Sequence, residues 1–515
     1  MVGGHPLLPL SVSVWVVVGL LTVIWGRILW RVVDRVTADR QLRHALLLSY
    51  AVRVGLGLAL FLISYWGLPI LKSIQLEPGF WSFAVDAKTY HVNARELAYS
   101  WSAQVPFRFW EPRIFPYALV VALFYWPFGP HPLYPLAFNA WCGAMCGLLA
   151  YRLAGRCAGK RARLPAALLV AFWPSSFLWS ALLLKDALTW LVMLTTLWVT
   201  MAILHREPTR GPADRGAPWR WLVRWGSFAL ILVAVISLRF YLGFTLLVAI
   251  GLVAGPILIR AAFKRQFWRE ARLVGLVLFL VVFVVMPALV LIWRVEMKAD
   301  QSASGFGARP AVATSLNTVT SRVMSRMAKT FGPAAVLRFR RGYLLTGGHS
   351  IVDTKELSTF GELLRHLPQA AMVALLAPFP SQWFDHSGST GPMRTVASVE
   401  MLLLYALLVS LVIGMAVLIH RRGRVESFLL VFTFLLFMQL ALVVPNIGTL
   451  FRSRLTFLFP LLIIVSGAVL PSPYRAIERF LLRAGIRAPR LSTLRSLPPL
   501  GLLRRLTVRK LERTG

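Results

Sequence analysis

Two arginines precede the last long apolar segment of this chain, in the stretch VPNIGTLFRSRLTFLFP (Val444–Pro460). A guanidinium group keeps its proton in proteins, so Arg452 and Arg454 must find an anion or water where the chain becomes apolar. We predict that a helix starts at these arginines, where positive charge opposes the helix macrodipole. A bound anion would be favoured by both guanidinium groups and by the helix N-terminus. The alternative is that both side chains extend to phospholipid headgroups.

A carboxylate that could act as a general base lies in the polar segment SFAVDAKTYHVNARELAYSW (residues 82–101). Helical spacing puts Asp86 and Tyr90 on one face, and we predict a short helix on the membrane surface here. Tyr90 and the adjacent His91 are candidates for contact with an acceptor substrate. The alternative for Asp86 is structural, as a helix cap or in a salt bridge to Lys88.

Other polar residues lie at the ends of predicted helices. Lys185 and Asp186 open a helix after a Pro-Ser-Ser break, and they point about 100° apart, so we do not expect them to pair with each other. Arg239 separates two apolar segments and is a further candidate for anion binding. His349 lies beside Ser350 and Asp353, but no Gly-x-Ser-x-Gly motif accompanies them, so a hydrolytic triad is disfavoured.

The composition identifies the kind of fold that must position these residues. Of the 515 residues, 57% are hydrophobic and 15% are charged, against about 25% charged in average soluble domains. Long apolar segments recur along the chain, which predicts an all-α polytopic membrane protein. The net charge of +36 is concentrated in short loops between these segments, as the positive-inside rule requires, so no nucleic-acid partner is predicted.

Placing the basic loops in the cytoplasm gives about eleven transmembrane helices, within a range of about 10–13. They span roughly 10–31, 45–71, 132–151, 164–182, 186–204, 222–239, 241–260, 271–293, 398–419, 426–445 and 454–471. Two apolar pieces, about 115–128 and 369–380, are too short to span comfortably and are predicted to lie in the interface or to re-enter the membrane. The polar candidates then all face the extracytoplasmic side, with the N-terminus outside and the C-terminal tail inside.

Five regions follow from this topology. They are an N-terminal transmembrane helix and basic loop (1–44), a transmembrane core (45–293) with its first outer loop (72–114), an outer loop with interfacial helices (294–397), C-terminal transmembrane helices (398–471) and a basic cytoplasmic tail (472–515). The tail is predicted to lie on anionic membrane lipids. A bacterial inner membrane location is expected, with the site facing the periplasm or the exterior.

Three motifs together resemble the GT-C class of integral membrane glycosyltransferases, the group of the protein mannosyltransferases and the aminoarabinose transferases. They are the acidic residue of the first outer loop, here Asp86, the stretch from Pro174 through Ser175 and Ser176 to Asp186, and the Arg-rich entry LFRSRLTFLFP. The resemblance covers roughly 45–470 and implies a GT-C-like arrangement of helices.

The resemblance also implies a reaction. A sugar would move from a polyprenyl-phosphate-linked donor to a glycan, lipid or protein acceptor at the outer leaflet, in modification of the cell envelope. Arg452, Arg454 and Arg239 would bind the donor phosphate. Asp86 would take the proton of the acceptor hydroxyl, which gives inversion. Asp186 would orient the acceptor or share a divalent metal ion, Mg²⁺ or Mn²⁺, with Asp86, and Lys185 and His349 would be auxiliary.

Two other classes of protein stay open. An O-antigen polymerase or ligase-like enzyme would use arginines of the outer loops without a carboxylate base. A polysaccharide transporter or flippase would show inverted repeats and charges midway along its helices. We find no clear internal repeat, and we predict that the ionisable residues lie at helix ends, which favours an enzyme.

Overall fold

The computed structural model describes residues 10–105, 114–204, 218–264, 275, 333–346, 355, 357–383, 391–421 and 423–468. Within these ranges the chain forms α-helices, short 3₁₀ turns and an antiparallel hairpin, in which β1 (Gln75–Glu77) pairs with β2 (Phe80–Trp81). The hairpin precedes the helix that carries Asp86.

The helices of the first half are α1 (Val12–Val36), α2 (Arg40–Tyr65), α3 (Val85–Ala103), α4 (Phe115–Phe128), α5 (Leu136–Cys157), α6 (Arg163–Ala171), α7 (Pro174–Ser180) and α8 (Asp186–Leu204). Those of the second half are α9 (Pro218–Leu238), α10 (Phe240–Phe263), α11 (Pro333–Thr346), α12 (Phe360–Leu376), α13 (Gly391–Arg421), α14 (Arg424–Val443), α15 (Ile447–Ser453) and α16 (Leu455–Ser466).

Several of these helices are long and apolar enough to cross a membrane. In the described part of the chain they number six: α1, α2, α8, α10, α13 from Ala397 onward, and α14. The shorter apolar helices are α4, residues Gly226–Leu238 of α9, and α16. The prediction of an all-α polytopic membrane protein is therefore confirmed. The count of about eleven stays a prediction, and the segment 271–293 lies outside the described residues.

One predicted crossing is interrupted. Residues 164–182 do not form a single helix, because α6 ends at Ala171 and α7 begins at Pro174. Proline fixes its own φ and restricts the residue before it to extended conformations, and Trp173 has ψ of 125°. The two short helices lead into Asp186, the first residue of α8.

A short helix, α15, begins at Ile447, before the arginine pair and earlier than the predicted helix start. Asn446 caps α15, and its side chain accepts hydrogen bonds from the backbone N–H groups of Gly448 and Thr449. Arg452 therefore lies in the last turn of α15, where positive charge is favourable for the helix dipole. For Arg452 the predicted conflict with a helix N-terminus is therefore wrong, whereas Arg454 is the N-cap residue of α16, so a helix does begin at this arginine as predicted.

Helix α5 lies at the centre of the packing and contacts α1, α2, α6 and α8. Gly147 permits the close approach: a Cβ atom there would lie 2.7 Å from Leu46 Cδ2 and 2.8 Å from the Cβ of Ala171. Small residues at helix contacts are typical of membrane proteins, where close van der Waals packing replaces the hydrophobic effect. This core fixes α8, and with it the position of Asp186.

Candidate functional site

Four charged side chains from distant parts of the chain meet at one place. Asp86 comes from the first turn of α3, Asp186 from the first residue of α8, Arg239 from the N-cap of α10, and Arg452 from the last turn of α15. We call these residues the charge cluster. Every member lies at or near a helix end, at the boundary of the apolar helices.

Arg452 joins the two carboxylates. Its Nε donates to Asp186 Oδ2 and its Nη1 donates to Asp86 Oδ2, each at 2.6 Å. These are charge-assisted hydrogen bonds, which are stronger than bonds between neutral groups. Burial alone would lower the pKa of Arg452, but Asp186 and Asp86 outweigh this effect and the pKa is raised above its usual value. Arg452 is therefore a fixed positive charge between two acids.

Arg239 binds the other oxygen of Asp186. Its Nη2 donates to Asp186 Oδ1 at 2.6 Å, and its Nη1 donates to the Tyr241 hydroxyl at 3.1 Å. Among the described residues, the buried Nε of Arg239 has no hydrogen-bond partner. Asp186 thus holds one guanidinium group on each carboxylate oxygen, and a donor of Arg239 is left for a further acceptor.

The two aspartates differ in their exposure to solvent. The side chain of Asp186 is 1% exposed and that of Asp86 is 52% exposed, while Arg452 is 14% exposed. A buried carboxylate depends on its partners, whereas an exposed one can exchange them for water at little cost. Asp186 is therefore the fixed acid of the cluster, and Asp86 is the acid that can be released.

Two predicted auxiliary residues lie at the cluster. Tyr90 is buried on the same helix as Asp86 and interacts electrostatically with Arg452, Asp186 and Asp86. Burial raises the pKa of Tyr90, so its hydroxyl stays protonated at neutral pH. Burial also lowers the pKa of Lys185 to about 8, with Arg239 acting in the same direction and Asp186 opposing it. Lys185 thus adds positive charge near the cluster at neutral pH.

Arg454 does not join the cluster. It is fully buried, its Nη1 donates to Met401 Sδ at 3.0 Å, and its Nη2 donates to the carbonyl of Ala377. Residues two apart on a helix point about 200° apart, so Arg452 and Arg454 face different surroundings. The structure thus places Arg454 apart from Arg452, and its role in binding the donor phosphate stays a prediction. The headgroup alternative is wrong for Arg454, because its side chain does not reach the surface.

His91 also points away from the cluster. Its Nδ1 lies 2.9 Å from the Tyr125 hydroxyl, and its ring packs against Phe80. Burial lowers the pKa of His91 to about 4, so the ring is neutral. His91 lies one residue after Tyr90 and faces about 100° away, so the structure does not bring it to the cluster, and its contact with an acceptor stays a prediction. His349 lies outside the described residues.

Asp86 takes neither of the structural roles considered from the sequence, a helix cap or a salt bridge to Lys88. Lys88 pairs with Glu77, and Asp86 pairs with Arg452. Asp86 also makes no capping hydrogen bond in the described structure, since the N-cap position of α3 is Ala84. The ion pair ties α3 to α15 through Asp86 and Arg452, which lie 366 positions apart in sequence.

Two ionisable residues inside apolar helices escaped the sequence reasoning. Arg53 of α2 is fully buried, and its guanidinium donates to the Ala171 carbonyl at 2.9 Å and to Ser176 Oγ at 2.7 Å. Glu400 of α13 is 1% exposed. The expectation that ionisable residues lie at helix ends is wrong, because Arg53 and Glu400 lie within helices. The position of the charges is therefore no argument against a transporter. The available signal was a charge within an apolar run, which marks function by default.

The metal prediction can be tested against the donor set. In the described ranges, no three or more His, Cys, Asp or Glu side chains are grouped to hold a metal ion. The described oxygens of Asp86 and Asp186 face guanidinium groups, and this positive charge opposes a cation at the same place. The described residues do not fit a divalent ion, so metal binding by Asp86 stays a prediction from sequence.

The cluster can exchange one anion for another. It holds two carboxylates and two guanidinium groups, and the half-exposed Asp86 occupies a position on Arg452 that another oxyanion could take. Phosphate suits this position because a guanidinium fork matches its oxygens. The site could therefore bind a phosphate group at the boundary of the apolar helices.

Comparisons with known proteins give two similar solved structures. One is the archaeal oligosaccharyltransferase AglB from Archaeoglobus fulgidus in complex with an inhibitory peptide and a dolichol-phosphate, with 15% identity and a TM-score of 0.47 over 88% of this chain and 52% of that one. The other is the oligosaccharyltransferase of Archaeoglobus fulgidus in the apo form, with 15% identity and a TM-score of 0.49 over 89% of this chain and 54% of that one.

This chain thus spans about half the length of the solved structures that it matches. Neither a family model nor a curated protein sequence matches it.

Proposed function

We propose that this protein is a membrane glycosyltransferase that moves a sugar from a polyprenyl-phosphate-linked donor to an acceptor at the extracytoplasmic face. The acceptor would be a glycan, lipid or protein of the cell envelope. One observation carries the proposal: Arg452 lies between the carboxylates of Asp86 and Asp186 at the ends of apolar helices. A lipid-linked phosphate reaches this depth when its prenyl chain lies in the bilayer.

The donor phosphate would enter by competing with Asp86. Asp186 is buried and bound to two arginines, so it stays in place while the half-exposed Asp86 yields its position on Arg452. The unpartnered Nε of Arg239 offers another hydrogen bond. Asp186 keeps both arginines oriented during this exchange, because its two oxygens hold one guanidinium group each.

Release from Arg452 would prepare Asp86 for catalysis. The freed carboxylate takes the proton of the acceptor hydroxyl while the hydroxyl oxygen forms a bond to the anomeric carbon. The bond between that carbon and the phosphate oxygen breaks, and its electron pair stays on the departing polyprenyl phosphate. Arg452 and Arg239 stabilise the charge that develops there. Attack opposite the leaving group inverts the anomeric configuration.

The proposal is tested with protein in lipid nanodiscs, using farnesyl phosphate as a short donor analogue and farnesol as its uncharged counterpart. We expect farnesyl phosphate to bind and farnesol to bind at least about tenfold more weakly, since a charge-assisted contact contributes about 1.5–3 kcal/mol. Arg452→Ala should remove this difference. Arg43→Ala is the matched control, because Arg43 also pairs with an aspartate, Asp34, outside the cluster.

Sugar transfer is then measured with polyprenyl-phosphate-linked sugars and envelope acceptors, with the products identified by mass spectrometry. Equal binding of the two farnesyl compounds by the wild type would refute a phosphate site. Movement of the lipid-linked sugar across a liposome membrane without a new glycosidic product would favour a transporter instead.

A further inference from the structure

The N-terminal part of α13 contacts, through buried polar groups, the two chain segments that lead to Asp186 and Arg452 of the charge cluster. Glu400 Oε2 accepts a hydrogen bond from the backbone N–H of Ser175, at 2.9 Å, where α7 begins. The next residue, Met401, accepts from Arg454 Nη1 through its sulfur at 3.0 Å. Consecutive residues of one helix therefore hold the chain that leads to Asp186 and the chain that carries Arg452.

The chain segment from Ser175 to Asp186 is short and is fixed by contacts with neighbouring helices. Helix α7 ends at Ser180, and the residues after it turn into α8. The side-chain nitrogen of Asn139 donates to the carbonyl of Leu182 at 2.7 Å and fixes this turn to α5. A shift of Ser175 would therefore pass along α7 to Asp186 and would not be absorbed by a loose loop.

The path from Arg454 to Arg452 is shorter still. The N–H of Arg454 donates to the Leu450 carbonyl at 2.7 Å, so α15 continues through Arg452 up to Arg454. The guanidinium of Arg454 is fixed at Ala377 and Met401, and it interacts electrostatically with Glu400. Arg454 thus sets the rotation of α15, and this rotation decides where Arg452 points.

This arrangement is costly for the fold. In the described part of the chain, the buried atoms Ser175 Oγ, Glu400 Oε1 and Arg454 Nε have no hydrogen-bond partner. Burying a polar atom without a hydrogen-bond partner destabilises a fold. Proteins depart from their own packing rules mainly at functional sites, so the cost indicates a role beyond stability.

We infer that Glu400, with Arg454 as its partner, is a positioning residue that sets the geometry between Asp186 and Arg452. This inference rests on the proposed function, because its effect is on phosphate binding and sugar transfer at the charge cluster. Glu400 itself touches neither aspartate of the cluster, and it acts through Ser175 on one side and through Arg454 on the other.

The test is a double-mutant cycle between Glu400→Gln and Arg452→Lys, measured in nanodiscs as kcat/KM for transfer and as Kd for farnesyl phosphate. Glu400→Gln keeps the volume and an oxygen for Ser175 but loses the charge. We expect it to lower kcat/KM about tenfold in the wild-type background, since small misplacements of reacting groups are costly. With Arg452→Lys already present, the geometry is lost, and Glu400→Gln should add less than about twofold.

A merely structural role gives a different result, because fewer folded molecules would lower the activity by the same factor in both backgrounds. Leu429→Ala is the control for stability: Leu429 is also buried, in α14, and shortening its side chain leaves a cavity. This substitution should lower the unfolding temperature without coupling to Arg452→Lys.

If Glu400→Gln does not fold, Met401→Leu replaces it in the double-mutant cycle. Met401→Leu keeps a similar side-chain volume and removes only the sulfur that accepts from Arg454. Its effect should also vanish in the Arg452→Lys background. Equal factors in both backgrounds, or full activity of either single variant, would overturn the positioning role while the proposed function stands. A wild type that neither binds farnesyl phosphate nor transfers sugar would refute both.

Discussion

Asp86→Asn is expected to strengthen phosphate binding while it abolishes sugar transfer. The asparagine keeps the shape of the side chain but removes the charge that competes with phosphate for Arg452. Arg452 Nη1 then loses its charged acceptor, while Arg452 Nε keeps its bond to Asp186. An ordinary loss-of-function variant weakens binding and transfer together, so the opposite signs of the two effects are diagnostic.

The size of the binding effect follows from the exposure of the ion pair. Asp86 is 52% exposed and Arg452 is 14% exposed, so the pair lies near the upper end of the range for exposed pairs, about 1 kcal/mol. Removing this competitor should lower the Kd of farnesyl phosphate about fivefold. Loss of a general base should lower kcat by about 10²–10⁴-fold.

Both quantities are measured on the same nanodisc preparation, by titration with farnesyl phosphate and by turnover of a lipid-linked sugar. Glu77→Gln is the matched control, because the side chain of Glu77 is 48% exposed and pairs with Lys88 away from the cluster. It should change neither value. Unchanged or weaker binding by Asp86→Asn would refute the competition at Arg452. Full turnover would refute the base and favour the polymerase or ligase-like alternative.

Two further predictions concern stability. Asp186→Asn leaves Arg239 and Arg452 without their shared carboxylate, so it should lower the free energy of unfolding by about 3–5 kcal/mol. Thermal or denaturant unfolding in detergent measures this loss. An unchanged midpoint would contradict the role of Asp186 as the fixed acid. The pKa of His91 falls from 6.5 in the unfolded chain to about 4 in the folded protein, so the unfolded state binds the proton first as the pH falls. Stability should therefore drop by up to about 3 kcal/mol between pH 6.5 and 4, and His91→Gln should show a smaller loss in this window; identical pH profiles would contradict a neutral buried ring.

The local features of the site could be predicted from the sequence. Helical spacing indicated the surface helix of Asp86, and α3 does carry Asp86 and Tyr90 toward the cluster. The Pro-Ser-Ser motif predicted a break before Asp186, and α7 begins at Pro174. Proline geometry and helical periodicity act over a few residues, which is why a sequence reveals them.

The same local reasoning failed where the direction of a side chain depended on the start of a helix. The short helix α15, which starts at Ile447, precedes the predicted helix. Arg452 lies in the last turn of α15 and reaches the cluster, whereas Arg454, the N-cap residue of α16, is buried in the core. The cap that decides this start is Asn446, and its hydrogen bonds to Gly448 and Thr449 compete with other turns available to the loop.

The sequence by itself determined that the chain is a helical membrane protein. It also determined which charged residues are energetically costly in an apolar environment. These properties follow from the cost of moving each side chain out of water, residue by residue. Only the tertiary structure decided which charges meet. Asp86, Asp186, Arg239 and Arg452 come together because the starts of α3, α8 and α10 meet the last turn of α15 in the packed structure. Such pairing is set by packing between distant segments, and no local pattern records it.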